Sequence, residues 1–250
     1  YCLVKTELIE ILSNIHVIWV DERNGFPNTE IYYNRSLDGG ITWEGEQRLT
    51  NAPYASAPNG IAVNGSNVHI IWVDSRSGSW EIYYKMSPDN GATWQDGQGN
   101  VGQDRLLTTN TTVDHIKSSL AVNGSTIHVV WVDEVWPGPN YYLYYRNSTD
   151  NGANWSPTQL LTGPVPGINS PDIAVTDDEV HVVWDDERDD GTNEEIYYKK
   201  STDGGVSWSG DIRLTYNITG TGYWPRIALG NGMRHVAWWD DRDGNPEIYY

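Results

Sequence analysis

The sequence predicts an all-β protein assembled from repeated four-stranded antiparallel units, and three observations carry that expectation. A strand-like heptad recurs five times, as IHVIWVD (15–21), VHIIWVD (68–74), IHVVWVD (127–133), VHVVWDD (180–186) and RHVAWWD (234–240). An aromatic tetrad follows each, EIYY at 30–33, 81–84, 195–198 and 247–250 and YLYY at 142–145. After four of the five comes the octapeptide SLDGGITW (36–43), SPDNGATW (87–94), STDNGANW (148–155) or STDGGVSW (201–208). A period of roughly 50 to 60 residues without 3.6-residue periodicity means stacked sheet units and excludes a helical solenoid.

Each unit reads as four strands in a meander. The first strand is GIAV (60–63), SLAV (119–122), DIAV (172–175) or RIAL (226–229), with Leu8–Leu12 in its place in the first unit. The His-Trp heptad is the second strand and the aromatic tetrad the third, rich in the β-branched and ring residues that suit a pleated surface. Asn64-Gly65 and Asn123-Gly124 are tight-turn dipeptides between first and second strands. The fourth strand is short: Arg48–Thr50, Arg105–Leu107, Gln159–Leu161 and Arg213–Thr215. Such a unit fits one blade of a β-propeller. Five His-Trp strands predict five blades in a single domain, 1–250, near 7–50, 59–107, 118–161, 171–215 and 225–250, the last incomplete. Leu3–Thr6 resembles Arg213–Thr215, yet too few residues separate it from Leu8 to cross a blade at about 3.3 Å each. A missing last hairpin is therefore expected, rather than closure by the N-terminus.

The four S-x-D-x-G-x-x-W turns resemble Asp-boxes, the bacterial neuraminidase repeat of sialidases and many other secreted β-propellers. The resemblance spans the whole chain and implies the propeller fold. It leaves activity open, because the same box occurs in enzymes, lectins, receptors and assembly factors. The residues themselves suggest why the turn repeats. The carboxylates of Asp38, Asp89, Asp150 and Asp203 can accept backbone N–H and hydroxyl bonds that close the hairpin. Gly40, Gly91, Gly152 and Gly205 can take positive φ, and the following Trp can pack the turn down. A catalytic aspartate is needed once per site; this one occurs once per blade. The box is expected to be scaffold.

Composition narrows the function classes. Thirteen Trp and 16 Tyr stand against one Phe, with 25 Gly, and the net charge is -18. That charge argues against nucleic acid and anionic membrane surfaces as partners. No apolar run of about 18 residues is present, so no membrane insertion by a helix is expected. Cys2 stands alone, without an internal disulfide framework. N-x-S/T sequons occur at Asn34, Asn64, Asn110, Asn123, Asn147, Asn154 and Asn217. With the turn-rich composition they suggest a secreted or cell-surface glycoprotein.

Candidate chemistry is then weighed by whether it repeats. His16, His69, His128, His181 and His235 lie in five different units, which favours equivalent packing sites over a metal cluster. His115, in a connecting segment, has no reading. Arg23, Arg76, Arg188 and Arg242 follow the heptads in a D-x-R pattern. The unit without the Arg (Val135) also lacks the Glu of EIYY, with Tyr142 instead, so an Arg–Glu pair with Glu30, Glu81, Glu195 and Glu247 is expected. The Phe/Tyr-Arg-Ile-Pro tetrapeptide of sialidases is missing, and Trp224-Pro225-Arg226-Ile227 has related letters in another order. No Tyr–Glu nucleophile pair stands out from the repeat. The acidic loops 185–195 and 240–247 offer oxygen ligands for Ca²⁺ without EF-hand spacing, and solvated charge is the simpler reading; no cofactor is expected.

Function is sought where the repeat breaks. The loops opposite the boxes carry Phe26, Tyr54, Trp80, Trp136, Tyr141, Tyr223 and Trp224, each in its own context. Of these, Trp80, Trp136, Tyr141 and Trp224 are the candidates for contacting a glycan or protein partner, although the same rings would also cover an apolar rim. The expected function is a non-catalytic binding or scaffold propeller. A sialidase-like glycoside hydrolase and a structural component of a surface assembly are the alternatives.

Overall fold

The computed structural model describes residues 6–11 by their backbone, and 13–23, 25, 28–108, 113–135, 138, 140–189, 191–216 and 220–250 in full. The expected residues Phe26, Trp136, Asn110, Asn217 and 1–5 lie outside these. Every described element is a β-strand, and each repeat forms its own antiparallel sheet in chain order. Repeat 1 holds β1 (Thr6–Ile11), β2 (Asn14–Asp21), β3 (Glu30–Ser36) and β4 (Gln47–Arg48). Repeat 2 holds β5 (Ser56–Asn64), β6 (Asn67–Asp74), β7 (Glu81–Ser87) and β8 (Arg105–Leu106). Repeat 3 holds β9 (Asp114–Asn123), β10 (Thr126–Val135), β11 (Asn140–Ser148) and β12 (Gln159–Val165). Repeat 4 holds β13 (Asn169–Thr176), β14 (Glu179–Asp186), β15 (Glu195–Ser201) and β16 (Ile212–Arg213). Repeat 5 is a three-stranded sheet of β17 (Gly222–Gly230), β18 (Met233–Asp240) and β19 (Glu247–Tyr249).

The chain packs as two compact units. Unit 1 is 1–116 with 149–154; unit 2 is 117–148 with 155–250. The core of unit 1 joins Ile18, Ile31 and Tyr33 to Val68, Ile70 and Trp72. In unit 2 the buried faces are Val130, Trp131 and Leu143, then Val183, Trp184 and Ile196. The first strands of repeats 2, 4 and 5 start earlier than expected, and each carries a register shift near its beginning, at Pro58/Gly60, Asn169/Asp172 and Tyr223/Arg226. At the irregular position Lys117, Ser170 and Trp224 take positive φ, which ordinary residues rarely adopt.

The octapeptide turns are closed as their residue types require. Asp38 Oδ1 accepts from Ser36 Oγ (2.7 Å) and the Thr42 N–H (2.8 Å), and Oδ2 accepts from the Thr42 hydroxyl (2.6 Å). Asp89 repeats these bonds with Ser87 and Thr93, Asp203 with Ser201 and Ser207. Asp150 takes the Asn154 N–H and side-chain amide, each at 2.8 Å. That amide nitrogen belongs to the Asn154 sequon, so the turn already uses it. The turns of repeats 1, 2 and 4 lie at the end of their sheet where the first hairpin lies: the Gly39, Asn90 and Gly204 N–H groups donate to the Ser13, Ser66 and Asp178 carbonyls at 2.7–2.8 Å.

The turns also join neighbouring sheets inside each unit. In unit 1 the Tyr33 hydroxyl donates to the Asn90 carbonyl (3.2 Å), and its ring meets Trp94 edge-on at 4.9 Å. In unit 2 Tyr145 does the same with the Gly204 carbonyl (3.3 Å) and Trp208 (4.9 Å). The five heptad histidines are structural: Nδ1 of His16, His69, His128, His181 and His235 meets the hydroxyl of Tyr33, Tyr84, Tyr145, Tyr198 and Tyr250 at 2.5–2.8 Å.

The expected Arg–Glu pairing is corrected. Arg23, Arg76, Arg188 and Arg242 bind the Asp two residues before them, each at 2.5 Å. Their guanidinium groups lie 4.2–4.3 Å over the rings of Tyr32, Tyr83, Tyr197 and Tyr249. The buried Glu30 and Glu195 instead anchor the short fourth strand through Arg48 (2.5 Å) and Arg213 (2.8 Å). In repeat 3, where both the Arg and the Glu are absent, Tyr142 stands at the Glu position and stacks on Tyr144 at 6.2 Å.

Candidate functional site

The residues that break the repeat converge in unit 2, at the end of the sheets opposite the octapeptide turns. The sixth heptad position is valine in Val20, Val73 and in Val132, but aspartate in Asp185 and tryptophan in Trp239. At the start of the first strands, Gly60 corresponds to Ser119, Asp172 and Arg226 in the later repeats, and the irregular position before it holds Lys117, Ser170 and Trp224. Register explains the meeting of these positions: Asp185 pairs with Asn169 across β13–β14, and Trp239 with Tyr223 across β17–β18.

The aromatic part is an open platform. Trp224 is 55% exposed and stacks on Trp239 with centroids 5.2 Å apart and planes 16° off parallel. Tyr223 closes the back of Trp239 at 5.5 Å. Positive φ at Trp224 turns the backbone so that its N–H donates to Asp185 Oδ1 at 3.2 Å. The platform therefore sits on a carboxyl group.

Asp185 is fully buried, and its Oδ2 finds no hydrogen-bond partner among the described residues. Burial pushes its pKa up to about 8; the Glu194 charge adds to this, while the Trp224 N–H and the Lys117 ammonium oppose it. The half-buried Glu194 is pushed up to about 7 by burial and then by Glu187, against the pull of Lys117 and a hydrogen bond from Tyr223. Asp172 is also raised by burial, although Ser119 Oγ (2.9 Å) and the Ile227 N–H (2.9 Å) bond its two oxygens and Arg226 lies near. Lys117 is an exposed residue whose ammonium end turns toward Asn169, Asp185, Glu194 and Glu134. Carboxyl groups raised by burial beside an exposed aromatic ring mark this as the candidate functional site.

The sequence-derived candidates fall differently. Trp224 is the centre of the platform. Tyr141 is half-buried in the same unit, its hydroxyl donating to Glu134 (3.3 Å), and Glu134 in turn faces Lys117. Trp80 lies in unit 1, its backbone N–H bound to Asp114 (3.1 Å) and its carbonyl accepting from His115 (2.8 Å). Trp136 lies outside the described residues. Asp172 and Trp239 were not singled out, and Asp185 and Glu194 were read only as solvated charge of the acidic loop 185–195; for Asp172, Asp185 and Trp239 the signal was the broken repeat position itself. The acidic loops are held by side chains of the chain: Asp186 by Arg188 and Trp184, Glu195 by Arg213, and Asp240 by Arg242 and Trp238. Among the described residues no set of three or more potential ligands is arranged to hold a metal ion.

A second concavity lies in unit 1, a groove of about 790 Å³ between Arg48, Arg76, Lys85 and Asp104. One wall, Val101 to Asp104, belongs to a segment between turn and fourth strand that is longer in repeat 2 than in the others. Its charges are already matched: Arg76 and Lys85 bind Asp104 at 2.7 and 2.8 Å. The same set recurs in repeat 4 as Arg188 and Lys199 on Asp211, at 2.6 and 2.8 Å. We read it as a repeated structural device and place the candidate site in unit 2.

Comparison with solved structures identifies the class of fold. The chain is similar to an endo-arabinase from Bacteroides thetaiotaomicron, with a TM-score of 0.60 at 14% identity over 99% of this chain and 92% of that one. It is similar to a NanB sialidase variant from Streptococcus pneumoniae, with a TM-score of 0.60 at 12% identity over 96% of this chain and 56% of that one. A protein of unknown function from Dyadobacter fermentans matches with a TM-score of 0.65 at 14% identity, over 94% and 74% of the two chains. The fold is thus that of the propeller glycoside hydrolases, and at such identities the likeness speaks for the fold alone. No family model matches the chain. No curated protein matches it either.

Proposed function

We propose that the chain is a secreted or cell-surface Asp-box propeller of five blades that binds carbohydrate without catalysis, through the surface built on Trp224. The single observation that carries this reading is the exposed Trp224–Trp239 stack seated on the Asp185 carboxyl, with Tyr223 and Glu194 beside it. Flat rings with hydrogen-bonding carboxyls at their edge suit a sugar, which presents apolar C–H faces and a rim of hydroxyls. The arabinanase and sialidase folds nearby in structure space are consistent with a glycan ligand. Titration of the chain with immobilised and soluble glycans tests it. Trp224→Ala should weaken binding several-fold, since ring stacking contributes about 0.5–1.5 kcal/mol beyond burial. Unchanged binding in that variant would reject the platform.

One observation favours a glycoside hydrolase instead. Burial raises Glu194 to about 7, the range a general acid requires, and raises Asp172 as well. On that reading the chain releases reducing ends from a bound oligosaccharide, and Glu194→Gln or Asp172→Asn stops turnover while binding survives. Binding without turnover in the wild type would leave the lectin-like reading standing.

A further inference from the structure

Resting on the carbohydrate reading, we propose that the Trp224 surface takes an anionic sugar, and that Arg226 recognises the carboxylate or sulfate ester at the rim of the stacked ring. Register places the two residues together. Arg226 pairs with Ala237 across β17–β18, and Tyr223 pairs with Trp239. Paired residues share a sheet face, and so do alternate residues of one strand, so Arg226, Ala237 and Trp239 stand on the same side. Trp224, stacked on Trp239, joins them there. Ala237 and Trp239 lie about 6.6 Å apart along the strand, a separation that one ring and its exocyclic group can bridge. The floor between them is low. The fourth heptad position holds Ile18, Ile71, Val130 and Val183 in the other repeats, all fully buried. Ala237 is smaller and only half-buried, which leaves room between the indole stack and the guanidinium.

The guanidinium is available. Arg226 is exposed and forms no ion pair among the described residues; its Nη1 donates to the Pro225 carbonyl at 3.0 Å. Arg188, Arg213, Arg234 and Arg242 of the same unit are each held by a carboxylate. The charge of Arg226 does act on Asp172, yet the two oxygens of that carboxyl are taken by Ser119 Oγ and the Ile227 N–H, each at 2.9 Å. A free guanidinium keeps its fork of donors for a ligand oxyanion, and such charge-assisted bonds are about twice as strong as those to a neutral hydroxyl. Nor does the stack rest on a standing charge. Asp185, which accepts from the Trp224 N–H at 3.2 Å, is raised by burial to about 8 and is largely protonated at neutral pH. Glu194, raised by burial to about 7, takes up a proton more readily still when an anion settles nearby.

Calorimetric titration compares three oligosaccharides of similar length: a neutral galactan, an oligogalacturonate and a sulfated galactan. The proteins are wild type, Trp224→Ala, Arg226→Gln and Arg226→Lys, each first checked for an unchanged melting profile. The wild type should bind one or both anionic chains roughly tenfold more tightly than the neutral one, and the chain preferred names the group as carboxylate or sulfate ester. Arg226→Gln should bring that affinity down to the neutral level while neutral binding stays within about twofold. Arg226→Lys should keep part of the preference, and added salt should narrow it. Equal binding of neutral and anionic chains, lost in Trp224→Ala, would overturn the anionic preference and leave the carbohydrate site intact. A preference that survives Arg226→Gln would overturn the role given to Arg226. Binding of none of the three, or binding indifferent to Trp224, would remove the carbohydrate reading and this inference with it.

Discussion

At the residue scale, the four repeated aspartates do the work of shape, and the glycine two positions on shows how tightly that shape is set. A methyl on Gly91 would sit 1.8 Å from the Tyr33 hydroxyl, at φ +89°. On Gly40, at the same φ of +89°, it would meet only Ile15 Cδ1 at 3.4 Å. Strained backbone costs of order 1–3 kcal/mol, and overpacking a similar amount again. Gly40→Ala should therefore lose the first contribution and Gly91→Ala both. Denaturant midpoints of the two variants check this, and equal losses would mean that the turn does not wedge under Tyr33. The turn itself was legible in the sequence, because its Ser, Asp and Gly are all needed locally. Asp185 was not. Within VHVVWDD it reads as one more acid at a strand end, and only alignment with Val20, Val73 and Val132 marks it as a departure.

At the scale of the element, the short fourth strands depend on side chains for much of their attachment. β16 has two residues, yet Arg213 and Thr215 both reach the buried Glu195, and Arg213 also meets Asp189. Arg213→Ala removes one clamp and leaves the Glu195 carboxylate short of a partner in a buried place, which is costly. Amide hydrogen exchange over 212–215 should then accelerate while β14 stays protected; an unchanged pattern would mean the strand is held by its backbone pairs alone. The strand order of each sheet followed from the aromatic and β-branched pattern. The partner of the D-x-R arginine did not. Joint loss of Arg and Glu in repeat 3 pointed to a bond between them. In the structure the two have separate partners, the Arg an Asp and a Tyr ring, and Glu30 and Glu195 the Arg of the fourth strand. Co-occurrence of two residues identified the place and not the contact.

At the scale of the whole molecule, the repeated sheets provide scaffold, and the irregularities of repeats 3 to 5 gather buried titratable groups that pH should reveal. Burial lowers His16, His69 and His128 to about 4, so the unfolded chain binds more protons than the folded one between about pH 4 and pH 6.5. That contribution to stability is present above about pH 6.5 and is lost as pH falls toward 4. Asp185 and Glu194 have the opposite sign: raised to about 8 and about 7, they bind protons in the folded state that the unfolded chain has released. Their contribution is full at low pH and is lost as pH rises to about 8. Above about pH 6.5, where these histidines no longer titrate, thermal melts should show stability falling, and Asp185→Asn should flatten that fall. A wild-type melting temperature that rises over the same interval would contradict the buried cluster. The central claim, that ligand recognition lies where the repeat is broken, is tested most directly by a crystal structure with a bound oligosaccharide. The account predicts a sugar ring stacked on Trp224 with a hydroxyl donating to Glu194 or Asp172. A sugar held instead in the unit 1 groove between Arg48 and Asp104, with Trp224 bare, would contradict it.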